Sequence, residues 1–309
     1  MSNITISHPT FFKLLGIPGL ESSYFYIGCI FFLVYVISVM GNITLLIIIR
    51  IDQSLHHPIY FFLCMLSLVD LALTTATTPK VVGILWFNSQ EIYFEACLMQ
   101  MFFIHSFATM ESAALLAMAF DRYIAICHPL RYTTLLTNQL IFSIGVALVI
   151  RGVLCVMPLP ILFLRLSLCN NSVIHHSFCD HIAVVKLACS DTNLNSLYGL
   201  VVAMLIVALD LVFIWSYILI LHAVFQLASR DARSKALSTC ASHICAIVMF
   251  YLTVVLLSVV QRFAKNVPLY IVILLANVYL MLPPLTNPIV YGVKTQQVRN
   301  RILSLYRRH

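Results

Sequence analysis

The chain has 309 residues, 61% of them apolar and only 9% charged, where an average soluble domain carries about a quarter charged residues. That leaves too little polar surface to coat a globule, which excludes an ordinary soluble domain. The formal net charge of +7 suits a basic membrane face against anionic lipid and does not call for nucleic acid.

In chain order, residues 1–23 lack the uninterrupted apolar core and small-residue cleavage site of a secretory signal, so the first span reads as an uncleaved signal anchor. Apolar runs follow at 24–49, 58–82, 97–126, 138–163, 196–226, 236–260 and 268–293. Each reaches the roughly 20 helical residues needed to cross the hydrocarbon core. The expected fold is an all-α membrane protein, a seven-transmembrane helix bundle. No internal repeat or linker divides it, so 1–309 reads as one domain. The longest outer connection, about Leu164 to Asn195, carries three cysteines that can pin it as a lid over the helix mouths. Lys294 to His309 alternates basic residues with Val298, Ile302, Leu303 and Leu305, the pattern of a short amphipathic helix in the inner interface.

Loop charge decides the orientation. Arg50, Arg122, Arg131, Arg230, Arg233, Lys235, Lys294, Arg299, Arg301, Arg307 and Arg308 fall on one side of the bundle. Only Lys13, Lys80, Arg165, Lys186, Arg262 and Lys265 fall on the other. The richer side is cytoplasmic, which puts residues 1–23 outside a plasma membrane and 294–309 in the cytoplasm. Glycosylation acceptor patterns starting at Asn3 and Asn170 both land on the outer face, whereas the pattern at Asn42 lies within the first span. Cys97, Cys169, Cys179 and Cys189 sit at the oxidising outer surface, where disulfides persist. Four cysteines allow three pairings, and spacing selects none of them.

Polar groups within a membrane are costly and mark candidate sites. Asp70 in the second span and Glu111 in the third face the middle of the bundle. Two carboxylates there repel unless a cation or proton lies between them, so a sodium ion or proton site is one reading. A structural hydrogen-bond cluster with Asn42 and Asn287 is the other. Asp121-Arg122-Tyr123 ends the third span at the cytoplasmic face. This is either a plain helix cap or a latch whose guanidinium is released to a partner. Asn287-Pro288-Ile289-Val290-Tyr291 places a proline inside the seventh span, where the lost backbone bond makes a hinge.

MAFDRYIAICHPLRY, Ser216-Tyr217, KALSTCASH from Lys235 to His243 and PPLTNPIVYG from Pro283 together resemble vertebrate odorant receptors, rhodopsin-like G-protein-coupled receptors. The resemblance runs from FFKLLGIPGLE to VKTQQVRNRI. LLGIPGL, Arg262-Phe263 and NPIVYGVKT point to the fish-like class I branch, families 51 and 52. Thr286, where Leu is usual, and Phe120, where Tyr is frequent, are mild departures. The resemblance implies Cys97–Cys179 and Cys169–Cys189 pairs. It also implies that Arg122, Tyr217 and His243 reorganise on activation, engaging a stimulatory, olfactory-type heterotrimeric G protein that raises cyclic AMP.

In the outer half of the sixth span, Ser258 and Arg262 are four residues apart on one helical face, and His105 lies at comparable depth in the third. One arginine beside a hydroxyl over a greasy cavity suits a carboxylate with a hydrocarbon tail. The bland alternative is that Arg262 snorkels to water or pairs with Asp180, and that His105 is an ordinary bundle histidine. The resemblance favours the arginine as a fatty-acid contact and places Val156, Leu159, Gly199 and Val202 along the tail cavity. The small residues among them suggest room for a medium-chain acid. Tyr251, seven residues before Ser258, is expected at the pocket floor. No Trp or Pro lies near it in the sixth span, so switching there should rest on hydrogen bonds.

No catalytic triad or metal motif can be assembled from the spacing, and no cofactor beyond the sodium ion is implied. A transporter or channel of small organic anions is the competing function, although neither repeated halves nor broken helix pairs are found. The seventh span has no lysine for a retinal Schiff base. Ile104 and His105 stand where an amine receptor needs a carboxylate.

Overall fold

The computed structural model describes residues 9–169, 172–225, 229–263, 267–294 and 297–301, and for part of these the backbone alone. Asn3 and Asn170 lie outside them, as does the tail beyond residue 301. The crossings are α1 (Tyr24–Ile51), α2 (Pro58–Phe87), α3 (Phe94–Cys127), a fourth made of α5 (Asn138–Val156) and α6 (Pro158–Phe163), α8 (Asn193–Phe225), α9 (Arg230–Phe263) and α10 (Leu269–Lys294). The short helices α4 (Tyr132–Leu135) and α7 (His181–Val185) lie in an inner and an outer loop. Among the described residues six helices are long and apolar enough to span. The 33-residue α8 is the other crossing.

Most boundaries extend the apolar runs. Helix α2 continues five residues past 82 and stops where Asn88 adopts a left-handed φ of 52°, its N–H bonding back to the carbonyls of Gly83 and Ile84. The fourth run is broken because Pro158 restarts the helix as a first-turn residue. Large side chains such as Ile30, Leu33, Met40 and Phe142 face outward, as lipid-facing positions must. In hydrocarbon every backbone group has to be satisfied within its own helix.

Prolines inside α2 (Pro79) and α10 (Pro283, Pro284 and Pro288) are exceptions, and for Pro288 the remedy is visible. Lacking an N–H, it leaves the carbonyl of Pro284 without its helical donor. Asn42 of α1 supplies one from its side-chain amide at 3.0 Å. Asn42 therefore ties α1 to the seventh crossing and does not bond to Asp70, contrary to the expected cluster.

The outer mouth carries a small sheet that hydropathy did not suggest. Strand β1 (Phe11–Leu14) is central, antiparallel to β2 (Glu91–Tyr93) and parallel to β3 (Val173–Ile174). Phe12 and Leu14 are fully buried and Phe11 and Lys13 exposed, the alternation of a strand with one wet face. The following LLGIPGL wraps around Tyr24, whose hydroxyl accepts from the Ile17 N–H at 2.9 Å and donates to the Leu15 carbonyl at 3.1 Å. Gly16 sits at φ +77°, and a Cβ there would lie 3.0 Å from both Ile84 and the Tyr24 hydroxyl, so only glycine suits the position.

The long outer loop is a lid held at several points. Disulfides join Cys97 to Cys179 and Cys169 to Cys189, as the resemblance implies. Gln100 accepts from the Cys179 N–H at 3.0 Å and donates to the Ala76 carbonyl at 2.9 Å. Asn277 of α10 donates to the Ser177 hydroxyl at 2.8 Å. Phe178 is buried among Ile104, Leu257 and Ile273, plugging the mouth.

Candidate functional site

At the inner face, α3 ends with an ion pair. Arg122 donates through Nη2 and Nε to Asp121 Oδ2 at 2.7 and 3.0 Å, and Tyr132 of α4 donates to Asp121 Oδ1 at 2.7 Å. Asp121 is fully buried, so the carboxylate is committed to two partners while the guanidinium retains free donors. The Tyr123 ring lies edge-on to His128, centroids 5.7 Å apart. Beside the pair, Tyr217 of α8 is hydrogen-bonded through its hydroxyl to His243 Nδ1 of α9. The His243 ring is 6.5 Å from that of Tyr291 on α10. The outer nitrogen of His243 and the Tyr291 hydroxyl are buried without partners, groups that a rearrangement could satisfy. The short helical stretch at 297–301 is tethered by the Tyr60–Gln297 hydrogen bond and by Arg301 to Asp52 at 3.2 Å.

At mid-depth, Asn287 donates to Asp70 Oδ2 at 3.0 Å. Asp70 Oδ1 and Glu111 Oε1 are buried and partnerless. Of the two expected asparagines, only Asn287 joins this cluster.

A second charged group lies within the bundle, and the apolar runs concealed it. Arg151 of α5 pairs with Asp210 of α8 at 3.1 Å, and Tyr251 of α9 donates to the other oxygen of Asp210 at 2.5 Å. Asp210 is fully buried. Tyr251 thus links three crossings through hydrogen bonds. The signal was a basic residue in one span and an acidic residue in the next, each conspicuous in hydrocarbon.

The outer half gathers His105, Leu159, Gly199 and a residue the sequence reading missed, His181. Val156 and Leu159 are buried, Val202 is half-buried and Ser258 exposed. Arg262 belongs to the α9 backbone, but its side chain lies outside the described residues. The hollow at Gly199 is not open space. A Cβ there would meet His181 Cε1 at 2.9 Å and Leu159 at 3.9 Å, so the lid fills the room expected for a hydrocarbon tail. The rings of His105 and His181 meet edge-on, centroids 6.3 Å apart, and each has a buried, unpartnered Nε2. Burial pushes the His181 imidazole down to about 4, with His105 adding to the effect and Asp180 opposing it. Burial also lowers His176. One cleft, of about 410 Å3, lies elsewhere, between the N-terminal segment and the outer end of α2, lined by Pro18, Tyr24, Trp86 and Asn88 among others.

Known proteins are similar to this chain. A family model described as "Olfactory receptor" matches residues 31–308. Olfactory receptor 52K1 of Homo sapiens is 55% identical over 308 residues, covering 99% of this chain and 98% of that protein. Olfactory receptor 51E2 of Homo sapiens is 47% identical over 308 residues, covering 99% and 96%. The crystal structure of squid rhodopsin superposes with a TM-score of 0.75 over 93% of this chain and 86% of that one, at 16% identity. That last likeness speaks for the fold alone.

Proposed function

We infer the finer function from the fact that this chain belongs to the olfactory receptor family, in its families 51 and 52. It is a multi-pass plasma-membrane receptor, neither an enzyme nor a transporter, that takes an odorant and couples to a G protein. The odorant proposed is a medium-chain fatty acid bound as its carboxylate. His105 carries this reading: its Nε2 is buried and unpartnered, although buried polar atoms are normally satisfied. Leu159, near Gly199 where the His181 ring facing His105 also lies, and Val156 are buried and apolar, matching a site with few polar anchors in a greasy wall. Ser258 and Arg262 stand four residues apart in α9, where the guanidinium would clasp the carboxylate bidentately. Val202, on α8, is a further wall residue.

Ligand binding then works through Tyr251 and its Asp210–Arg151 pair to the inner face. Arg122 leaves Asp121, the Tyr217–His243–Tyr291 group repacks and Pro288 gives the hinge, opening a surface for a stimulatory, olfactory-type G protein that raises cyclic AMP. The partnerless oxygens of Asp70 and Glu111 fit a monovalent cation such as sodium, or a shared proton, as carboxylate donors to a hard ion do. Binding there would hold α2 and α3 in the resting arrangement.

The test is a cyclic AMP reporter in cells expressing the receptor, challenged with C4–C12 acids, aldehydes and amines. Acids should activate, and Arg262→Ala should abolish the response at unchanged surface expression. Activation by amines with silence toward every acid would reject the carboxylate site.

A further inference from the structure

On the outer surface, between α7 and the start of α8, a cleft of about 240 Å3 is lined by His181, Val185, Lys186, Ser190, Thr192 and Ser196 among others. It is smaller than the roughly 300–1,000 Å3 of pockets for drug-sized ligands, which suits a small molecule. Lys186 is exposed and takes part in none of the ion pairs among the described residues. Its charge is therefore available at the rim. Three hydroxyls and the flank of Val185 complete a wall with polar and greasy parts.

His181, only 7% exposed, lines this cleft as well. Its other side abuts Gly199, with Leu159 in the same hollow and the His105 ring edge-on to it. His181 thus belongs both to the outer cleft and to the group around Gly199 and His105. Among the described residues the centre of the mouth is covered. Phe12, Leu14 and Phe178 are buried under the sheet and the loop, and the Cys97–Cys179 bridge fixes the loop two residues before His181.

We propose that this cleft is an entry vestibule for small carboxylates and that the His181 side chain is the gate between it and the interior site. The proposal rests on the carboxylate reading above and adds the route by which the acid arrives. A cation at the mouth of a cleft raises the local concentration of anions, and the hydroxyls replace part of the carboxylate's water. Opening needs only a change of side-chain rotamer. The backbone stays in place, because Asp180 accepts from the N–H groups of Ile182 and Ala183 at 3.1 and 3.2 Å. Nε2 of His181 has no hydrogen bond to break. Turning the ring away frees the hollow beside Gly199, so one motion admits the ligand and makes room for its tail.

The experiment follows the onset of the cyclic AMP response after addition of an active acid and its aldehyde, with surface receptor measured by an epitope tag. Lys186→Glu should slow the onset for the acid by about threefold to tenfold, with Lys186→Gln between it and the parent and the aldehyde unaffected. Thr192→Trp, which fills the cleft, should slow both compounds. Should a variant fail to reach the surface, the unaltered receptor gives the second measurement: raised ionic strength should slow the onset for the acid and leave the aldehyde unchanged. Unchanged acid kinetics in Lys186→Glu and Thr192→Trp, or an onset insensitive to salt, overturns the vestibule while acids remain agonists. No response to any acid in the parent overturns the carboxylate reading, and the vestibule with it.

Discussion

The outer and inner ends of this bundle are held by different forces. Outside, the Cys97–Cys179 disulfide, a three-stranded sheet and the Gln100 and Asn277 hydrogen bonds fasten the lid to α2, α3 and α10, and the Cys169–Cys189 disulfide closes the lid on itself. Inside, the junction of α3 with α4, α8 and α9 depends on the Asp121–Arg122 pair, the Tyr132 hydroxyl and the Tyr217–His243 bond. Covalent and strand contacts do not exchange partners on binding a small molecule, whereas ion pairs and hydroxyls can. The outer end is therefore fixed by contacts that persist and the inner end by contacts that can exchange, with the Arg151–Asp210–Tyr251 group in the bundle as well.

The outer end should fail first when its staple is cut. The Cys97–Cys179 bridge spans 82 residues and Cys169–Cys189 spans 20, and removal of a native disulfide typically costs about 2–5 kcal/mol. In the chain-entropy account the longer loop is worth about 1 kcal/mol more. Cys97→Ser should therefore abolish surface expression, and Cys169→Ser should lower it less, both read by flow cytometry. Equal losses would mean that the two bridges do not share the load as loop length demands.

Acid should loosen the outer end next. His181 binds a proton near 6.5 when unfolded and near 4 in place, so between those values the unfolded lid holds more protons. The stability this histidine contributes is full above about 6.5 and is lost as pH falls toward 4, with about 2 kcal/mol gone at pH 5. Hydrogen exchange of the solubilised receptor should show the lid opening more at pH 5 than at pH 7.5, and His181→Gln should flatten the difference.

The smallest effect belongs to the inner mouth. Tyr132→Phe removes one hydrogen bond to the Asp121 carboxylate, a contact worth roughly 1–2 kcal/mol. Ligand-free cyclic AMP should rise several-fold at equal surface expression. An unchanged basal signal would show that the tyrosine does not restrain Arg122.

Seven apolar runs, a charge imbalance between loops and the placement of four cysteines made the bundle legible in the sequence, because bilayer thickness and redox compartment act on composition directly. The Asp121-Arg122-Tyr123 motif likewise pointed to the inner face, and Asn287-Pro288 to a break within the seventh crossing. The rest depended on partners far apart in the chain. Strands of four, three and two residues carry almost no periodicity, and β1 has a sheet only because two loops meet it. Pro158 broke the fourth crossing inside an unbroken apolar run. Gly199 read as space because nothing local announces that a lid histidine will fill it. Arg151 and Asp210 were each hidden by apolar neighbours, and their pairing appears only when α5 and α8 are side by side.

The most direct test places one pair of spin labels across the inner ends of α3 and α9 and another across the outer lid and α10, and measures both distances with and without an activating acid and G protein. The inner distance should lengthen while the outer one is unchanged. A lid that moves over an inner mouth that stays closed would contradict it.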